Sequence, residues 1–156
     1  MNAPENTAQR SFVVLQVGHR RFALPAETVV ELAPPVRLHR FPHTSPLLAG
    51  VIVRRGRIVP VYDAASLLVG RSSTAQRFYL IARRRANQAS DLGAIAVNGE
   101  CELASGELLP PRVDHSAWVA GTLALPDDSV EVLDFTALAA SHPAPPRESR
   151  GAELPS

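Results

Sequence analysis

The chain has 156 residues, enough for one compact domain or two small fused modules. Apolar residues make up 46% of it, which excludes an intrinsically disordered chain, and aromatics at 5% leave the core to Val, Leu, Ile and Ala. A formal net charge of +1 with an isoelectric point near 8.1 argues against a protein built for bulk attraction to nucleic acid.

Taken in chain order, residues 1–10 are polar and read as a mobile tail without the apolar stretch of a signal peptide. "SFVVLQVG" and "RRFALPA" are β-prone runs around a glycine-containing turn and predict a hairpin. "GVIVRRG" and "RIVPVYD" predict a second hairpin around Gly56. Pro60 lies inside that run and cannot donate to a ladder, so it calls for an edge position or a bulge. Further strands are expected at "RFYLIAR", "LGAIAVN", "ECELAS", "VAGTLAL" and "SVEVLD". "DAASLLV" and "DFTALAAS" each follow a strand and read as short helices, with Asp63 and Asp134 as their first-turn caps. Residues 141–156, rich in Pro, Ser and charge, read as a second tail. The lone Cys101 rules out an intramolecular disulfide, and no apolar run approaches the roughly 18–20 residues of a bilayer span. A cytoplasmic protein without direct membrane insertion is the expectation.

A shift of 71 residues lays "LAGVIVRRGRIVPVYDAASLL" on "VAGTLALPDDSVEVLDFTALA". Gly50, Val59, Val61 and Asp63 then meet Gly121, Val130, Val132 and Asp134, and upstream Ala23, Glu31 and Leu32 meet Ala94, Glu102 and Leu103. Identities at 12 of the 47 positions from 22 to 68 are about three times what this composition gives by chance. The chain therefore reads as two copies of a strand-rich unit, about 12–70 and 78–140, each too small for a large core alone. Two small β-barrels fused side by side is the expected architecture.

On these residues the chain resembles the CheW-like family of bacterial chemosensory coupling proteins, over roughly residues 11–140. "FALPAETVVELAPP" is similar to the family's opening strand, and "LAGVIVRRGRIVPVYD" to its most recognisable block. Within that block Gly50, Arg55, Gly56, Pro60, Val61 and Asp63 match residue by residue. The resemblance implies an all-β fold with short helices, made of two SH3-like five-stranded barrels, and no catalytic activity or cofactor. It implies two partners, the regulatory domain of a CheA-type histidine kinase and the cytoplasmic tip of a methyl-accepting chemoreceptor, the latter received in the groove between barrels. Departures at Arg54, Ala64, Asn98 and Glu100 point to a divergent member, serving surface motility, type IV pili or second-messenger control.

The basic loop 54–57, "RRGR", has a bland reading as a solvated turn, with Gly56 supplying backbone freedom. Its counterpart 125–128 reads "LPDD", so one copy carries a basic tip and the other an acidic one, and heterologous contact with another molecule of the same fold becomes possible. With the resemblance added, Arg55 leads the candidate partner-binding residues, followed by Gly56, Arg54 and Arg57, with Asp127 and Asp128 on the other tip. Gly50, Pro60, Asp63, Gly121 and Asp134 are assigned to structure. The competing reading is a small double-barrel binding module for another protein or for single-stranded nucleic acid, for which last the loop offers one aromatic neighbour, Tyr62, expected to be half-buried. "ARRRANQ" reads as a solvated loop. His39 and His43 are four apart but lack acidic or thiol partners, so no metal site is expected. Cys101 reads as a small buried residue on a strand, and Val29 and Val30 as core.

Overall fold

The computed structural model describes residues 9–40, 48–68, 78–85, 91–99 and 101–140. Residues 1–8 and 141–156, which fall in the expected tails, lie outside these, as do His43 and Glu100.

The first expected hairpin is present as β1 (Arg10–Val17) and β2 (Arg20–Pro25), and the second as β4 (Leu48–Arg54) and β5 (Arg57–Tyr62). The other expected strands are β6 (Phe78–Arg83), β7 (Leu92–Val97), β8 (Glu102–Gly106), β10 (Val119–Ala124) and β11 (Ser129–Leu133). Two strands come in addition: β3 (Val29–Ala33) and the two-residue β9 (Leu108–Leu109). Both helices form, α1 (Ala64–Leu68) and α2 (Phe135–Ala140). Cys101 sits just before β8 rather than on it.

The strands make two sheets, ordered β8-β1-β2-β11-β10-β9 and β3-β6-β7-β5-β4. The 71-residue shift carries β2 onto β7, β3 onto β8, β4 onto β10, β5 onto β11 and α1 onto α2, so the two sheets repeat one order. Yet neither sheet is one copy. Each takes its first hairpin from one half of the chain and its remaining strands from the other, so the two barrels are built by exchange between the sequence copies. The reason lies after the second strand of each copy. Past Pro25, a 3-10 turn at Ala26–Thr28, braced by the Thr28 hydroxyl on the Pro25 carbonyl at 2.8 Å, delivers β3 to the opposite sheet beside β6. The chain makes the same crossing between β7 and β8. Parallel pairs then close the exchange, with Val61 opposite Ala94 in one sheet and Val132 opposite Ala23 in the other.

Three clusters of buried side chains follow from this layout. Phe12, Val14, Ala23, Leu123, Val130 and Val132 fill the first sheet's barrel, and Ala33, Ile52, Val59, Val61, Ile81 and Ala94 fill the second. Between them lies the largest cluster, with Leu15, Phe22 and Leu24 from one sheet and Tyr62, Leu80 and Ile95 from the other, sealed by Phe135 and Leu138 of α2. The unbroken run "FVVL" in β1 has its reason here, since its alternate residues face a barrel interior and the inter-barrel core. Tyr62 is buried, not half-buried: its ring meets Phe135 edge-on at 5.8 Å and its hydroxyl accepts from Arg84 Nη1 at 3.1 Å. Arg84 is correspondingly no solvated loop residue. It also donates through Nε to Asp91 at 2.9 Å, tying the strand end to the core. The loop pattern concealed it because its partners lie 22 and 7 residues away.

Asp63 and Asp134 occupy equivalent N-caps. Asp63 Oδ1 accepts from the Ser66 amide at 3.4 Å and Oδ2 from the Ser66 hydroxyl at 2.9 Å, while Asp134 Oδ1 accepts from the Ala137 amide at 3.2 Å. Replacing either by Ala is expected to cost about 1 kcal/mol, measurable as a lower midpoint in urea unfolding with unchanged slope.

Candidate partner-binding site

Arg55 and Gly56 form a two-residue turn with positive φ at both positions, 55° and 76°, the geometry that matches the twist of a tight hairpin. That turn fixes the register, with Arg54 opposite Arg57, Val53 opposite Ile58 and Ile52 opposite Val59. Parity along the strands then decides what each side chain can do. Ile52 and Val59 are buried, so Val53 and Ile58 face out, at 52% and 72% exposure, and Arg54 shares the inner face at the mouth of the barrel.

At that mouth Arg54 meets Glu31 of β3, the strand at the other end of the sheet order. The pair is bidentate, Nε to Oε2 and Nη2 to Oε1, both at 3.1 Å, and it bridges the two terminal strands of the curled sheet. Arg55 reaches the same carboxylate at 3.3 and 3.4 Å but remains 71% exposed. The hydrogen bond from Arg54 holds the Glu31 carboxyl below the usual glutamate range, with Arg55 adding to the effect against an opposing contribution from burial. Since the folded-state value is depressed, the pair's stabilisation is complete above the ordinary glutamate value of 4.5 and is lost as pH falls through the depressed one. Glu31→Gln is therefore expected to lower stability by about 1 kcal/mol at pH 7 and by much less near pH 3, read by urea unfolding at the two pH values.

A concavity of about 180 Å³ lies under this tip, with Val30, Val59, Ile81 and Leu92 below and Arg54, Arg55 and Arg57 around it. Val30, expected in the core, is 47% exposed here, whereas Val29 packs against the inter-barrel cluster. The second tip repeats the arrangement with other charges. Leu125 and Asp128 pair their backbones across Pro126 and Asp127, over a concavity of about 250 Å³ that Val14, Ala104 and Glu102 also line. Glu102 is the repeat counterpart of Glu31, but the tip above it is acidic, and Arg21 stands between them at 3.7 Å from Glu102 and 3.8 Å from Asp128. Asp127 is exposed.

The residues assigned to structure explain the shape of both tips. In each hairpin the register slips by one at the glycine, between Leu48 and Gly50 and between Val119 and Gly121. Another backbone crosses there, His39 bridging Val51 in the second sheet and β9 pairing with β10 in the first. Pro60 faces Val51, whose amide and carbonyl are both spent on His39, so the missing donor of Pro60 points away from β4. On that side the pairing with β7 begins only at Val61. The proline thus occupies a locally unpaired edge of an interior strand.

Sequence reasoning singled out the arginines but missed Glu31, Val53 and Ile58. The turn length and strand parity held the signal for the last two. Burial pushes the half-buried Cys101 thiol up, which disfavours the reactive thiolate. Among the described residues no helix is long and apolar enough to cross a membrane.

Two strand-exchanged barrels with oppositely charged, repeat-related tips define a duplicated β-barrel protein whose distinctive surfaces are hairpin ends. Residues 11–142 match the family model of the CheW-like domain, and the chain belongs to that family. It is 24% identical to Protein FrzA of Myxococcus xanthus over 142 residues, covering 87% of this chain and 89% of that one. Its fold is similar to the crystal structure of the scaffolding protein TtCheW from Thermoanaerobacter tengcongensis, with a TM-score of 0.69 at 19% identity, covering 80% of this chain and 83% of that one. The expected all-β fold of two SH3-like barrels with short helices stands, one sheet having five strands and the other a sixth in the short β9.

Proposed function

We propose that this protein is a non-catalytic chemosensory adaptor that couples the regulatory domain of a CheA-type histidine kinase to the cytoplasmic tips of chemoreceptors. The observation that carries the reading is the pair of repeat-equivalent tips, basic at Arg54–Arg57 and acidic at Asp127–Asp128, each beside a partly apolar concavity. A partner of the same fold presents the complementary pair, so one tip can dock on the kinase domain while the rest of the surface holds the receptor. Charge complementarity sets orientation and association rate, and the exposed Val53 and Ile58 supply apolar area beside the arginines. Family membership and the likeness to a scaffolding protein support the adaptor role. The nucleic-acid alternative loses its one aromatic near the loop, because the Tyr62 ring is packed against Phe135.

Titration calorimetry against the regulatory domain of the kinase encoded nearest the gene tests this. Wild type is expected to bind, and an Asp127→Lys/Asp128→Lys variant shows whether the acidic tip or the basic one carries the contact. Absence of wild-type binding to every such kinase domain of the cell would sink the kinase-coupling role.

A further inference from the structure

A concavity of about 390 Å³ opens beside the acidic tip, sharing Arg21 and Asp128 with the one beneath that tip. Its volume falls within the range of small-molecule sites, roughly 300–1,000 Å³. His19, Arg20, Arg21 and Arg112 line it, with Asp128 and Glu131 among them. These four side chains come from three segments that the fold brings together: the β1–β2 turn, β2 itself, and the loop before β10.

Two features preorganise this wall. The Asn98 side-chain amide accepts from the Gly18 amide at 3.2 Å and donates to the Gly18 carbonyl at 2.6 Å, which pins the turn beside His19. Arg20 is held by the Leu68 carbonyl at 3.1 Å, by Glu131 at 3.4 Å and by the Phe22 ring at 4.9 Å. The other two arginines have donors to offer. Among the described residues Arg21 meets carboxylates only through the long contacts to Glu102 and Asp128, at 3.7 and 3.8 Å, beyond hydrogen-bond distance. Among the described residues the exposed Arg112 guanidinium meets no carboxylate. With no carboxylate on Arg112 among the described residues and only long contacts on Arg21, two guanidinium groups present donors that an anion can engage. The carboxylates within the same wall offer acceptors, which suit a ligand carrying hydroxyl or amine donors besides its charge.

We propose that this concavity binds a soluble phosphate-bearing molecule of nucleotide size, its phosphate on Arg21 and Arg112 and its donors toward Glu131 and Asp128. Planar guanidinium forks suit phosphate oxygens, and a charged hydrogen bond of this kind contributes enough that losing one arginine weakens binding about tenfold or more.

The test is a ¹H–¹⁵N NMR titration of the full chain at fixed ionic strength, with AMP, adenosine and inorganic phosphate as probes. AMP is expected to give saturable shifts at the amides of residues 19–21 and 129–131, adenosine none, and inorganic phosphate weaker ones. Arg112→Ala and Arg21→Ala are each expected to raise the AMP dissociation constant about tenfold, with the rest of the spectrum unmoved. Absence of saturation by AMP, shifts centred on residues 54–57, or an unchanged constant in both variants would overturn the site. Inorganic phosphate binding as tightly as AMP would overturn the nucleotide-sized ligand. Kinase binding is not read in this titration, so its outcome is independent of the adaptor role.

Discussion

Gly121→Ala is expected to lower the melting temperature by about 10 °C, and Gly50→Ala by a similar amount. A Cβ at 121 would stand 2.4 Å from the Leu109 carbonyl oxygen, and one at 50 would stand 2.5 Å from that of His39. Both oxygens belong to backbone that is itself paired with the strand in question, so neither can retreat without breaking a bridge. Overpacking against fixed atoms costs about 2–3 kcal/mol, and a domain of this size loses roughly 3–5 °C per kcal/mol. Gly106 supplies the contrast, since the nearest atom to its added Cβ, at 2.6 Å, is a Leu123 side-chain methyl. Gly106→Ala is expected to cost less than either. Thermal unfolding followed by circular dichroism measures all three, and a fall of under 3 °C in Gly121→Ala would mean that β9 and β10 separate freely.

These two glycines also show how far the sequence could be read. Their alignment at a 71-residue spacing was visible, as was that of Val59 with Val130 and Val61 with Val132, all four of which the structure buries in barrel cores. Local pattern carries such information because turn length and side-chain alternation are set by neighbours in the chain. The exchange of first hairpins between the copies was not visible, because an alignment says which strands are alike and not which sheet each one joins. Glu31 escaped for the same kind of reason. Its identity with Glu102 marked it as part of the repeat, but its bond to Arg54 spans 23 residues and exists only because the sheet curls until β3 and β4 meet. Arg54, one of four candidates in the loop, therefore has a partner inside the molecule, while Arg55 keeps most of its surface exposed.

That difference makes Arg55 the residue whose replacement is expected to change binding most and folding least. Arginine at φ 55° occupies left-handed backbone, which costs a residue with a Cβ about 1 kcal/mol. Asparagine or glycine would fit the first turn position better. Arg55→Gly relieves that strain and gives up an exposed ion pair with Glu31, which contributes about 0.2–1 kcal/mol. Its stability is expected to match or slightly exceed wild type. Affinity for the kinase regulatory domain is expected to fall about tenfold or more, the loss typical of a central interface arginine. Arg55→Glu should bind more weakly still, because it sets a second carboxylate beside Glu31 and reverses the tip's field toward an acidic partner. Glycine is the decisive variant, since it separates the strained backbone from the guanidinium that the strain holds out to solvent. If Arg55→Gly gains stability and loses binding, the strain is maintained for contact. If it gains stability and binds as before, Arg55 is a solvated turn residue, and the contact lies with Val53 and Ile58 beside it or on the acidic tip.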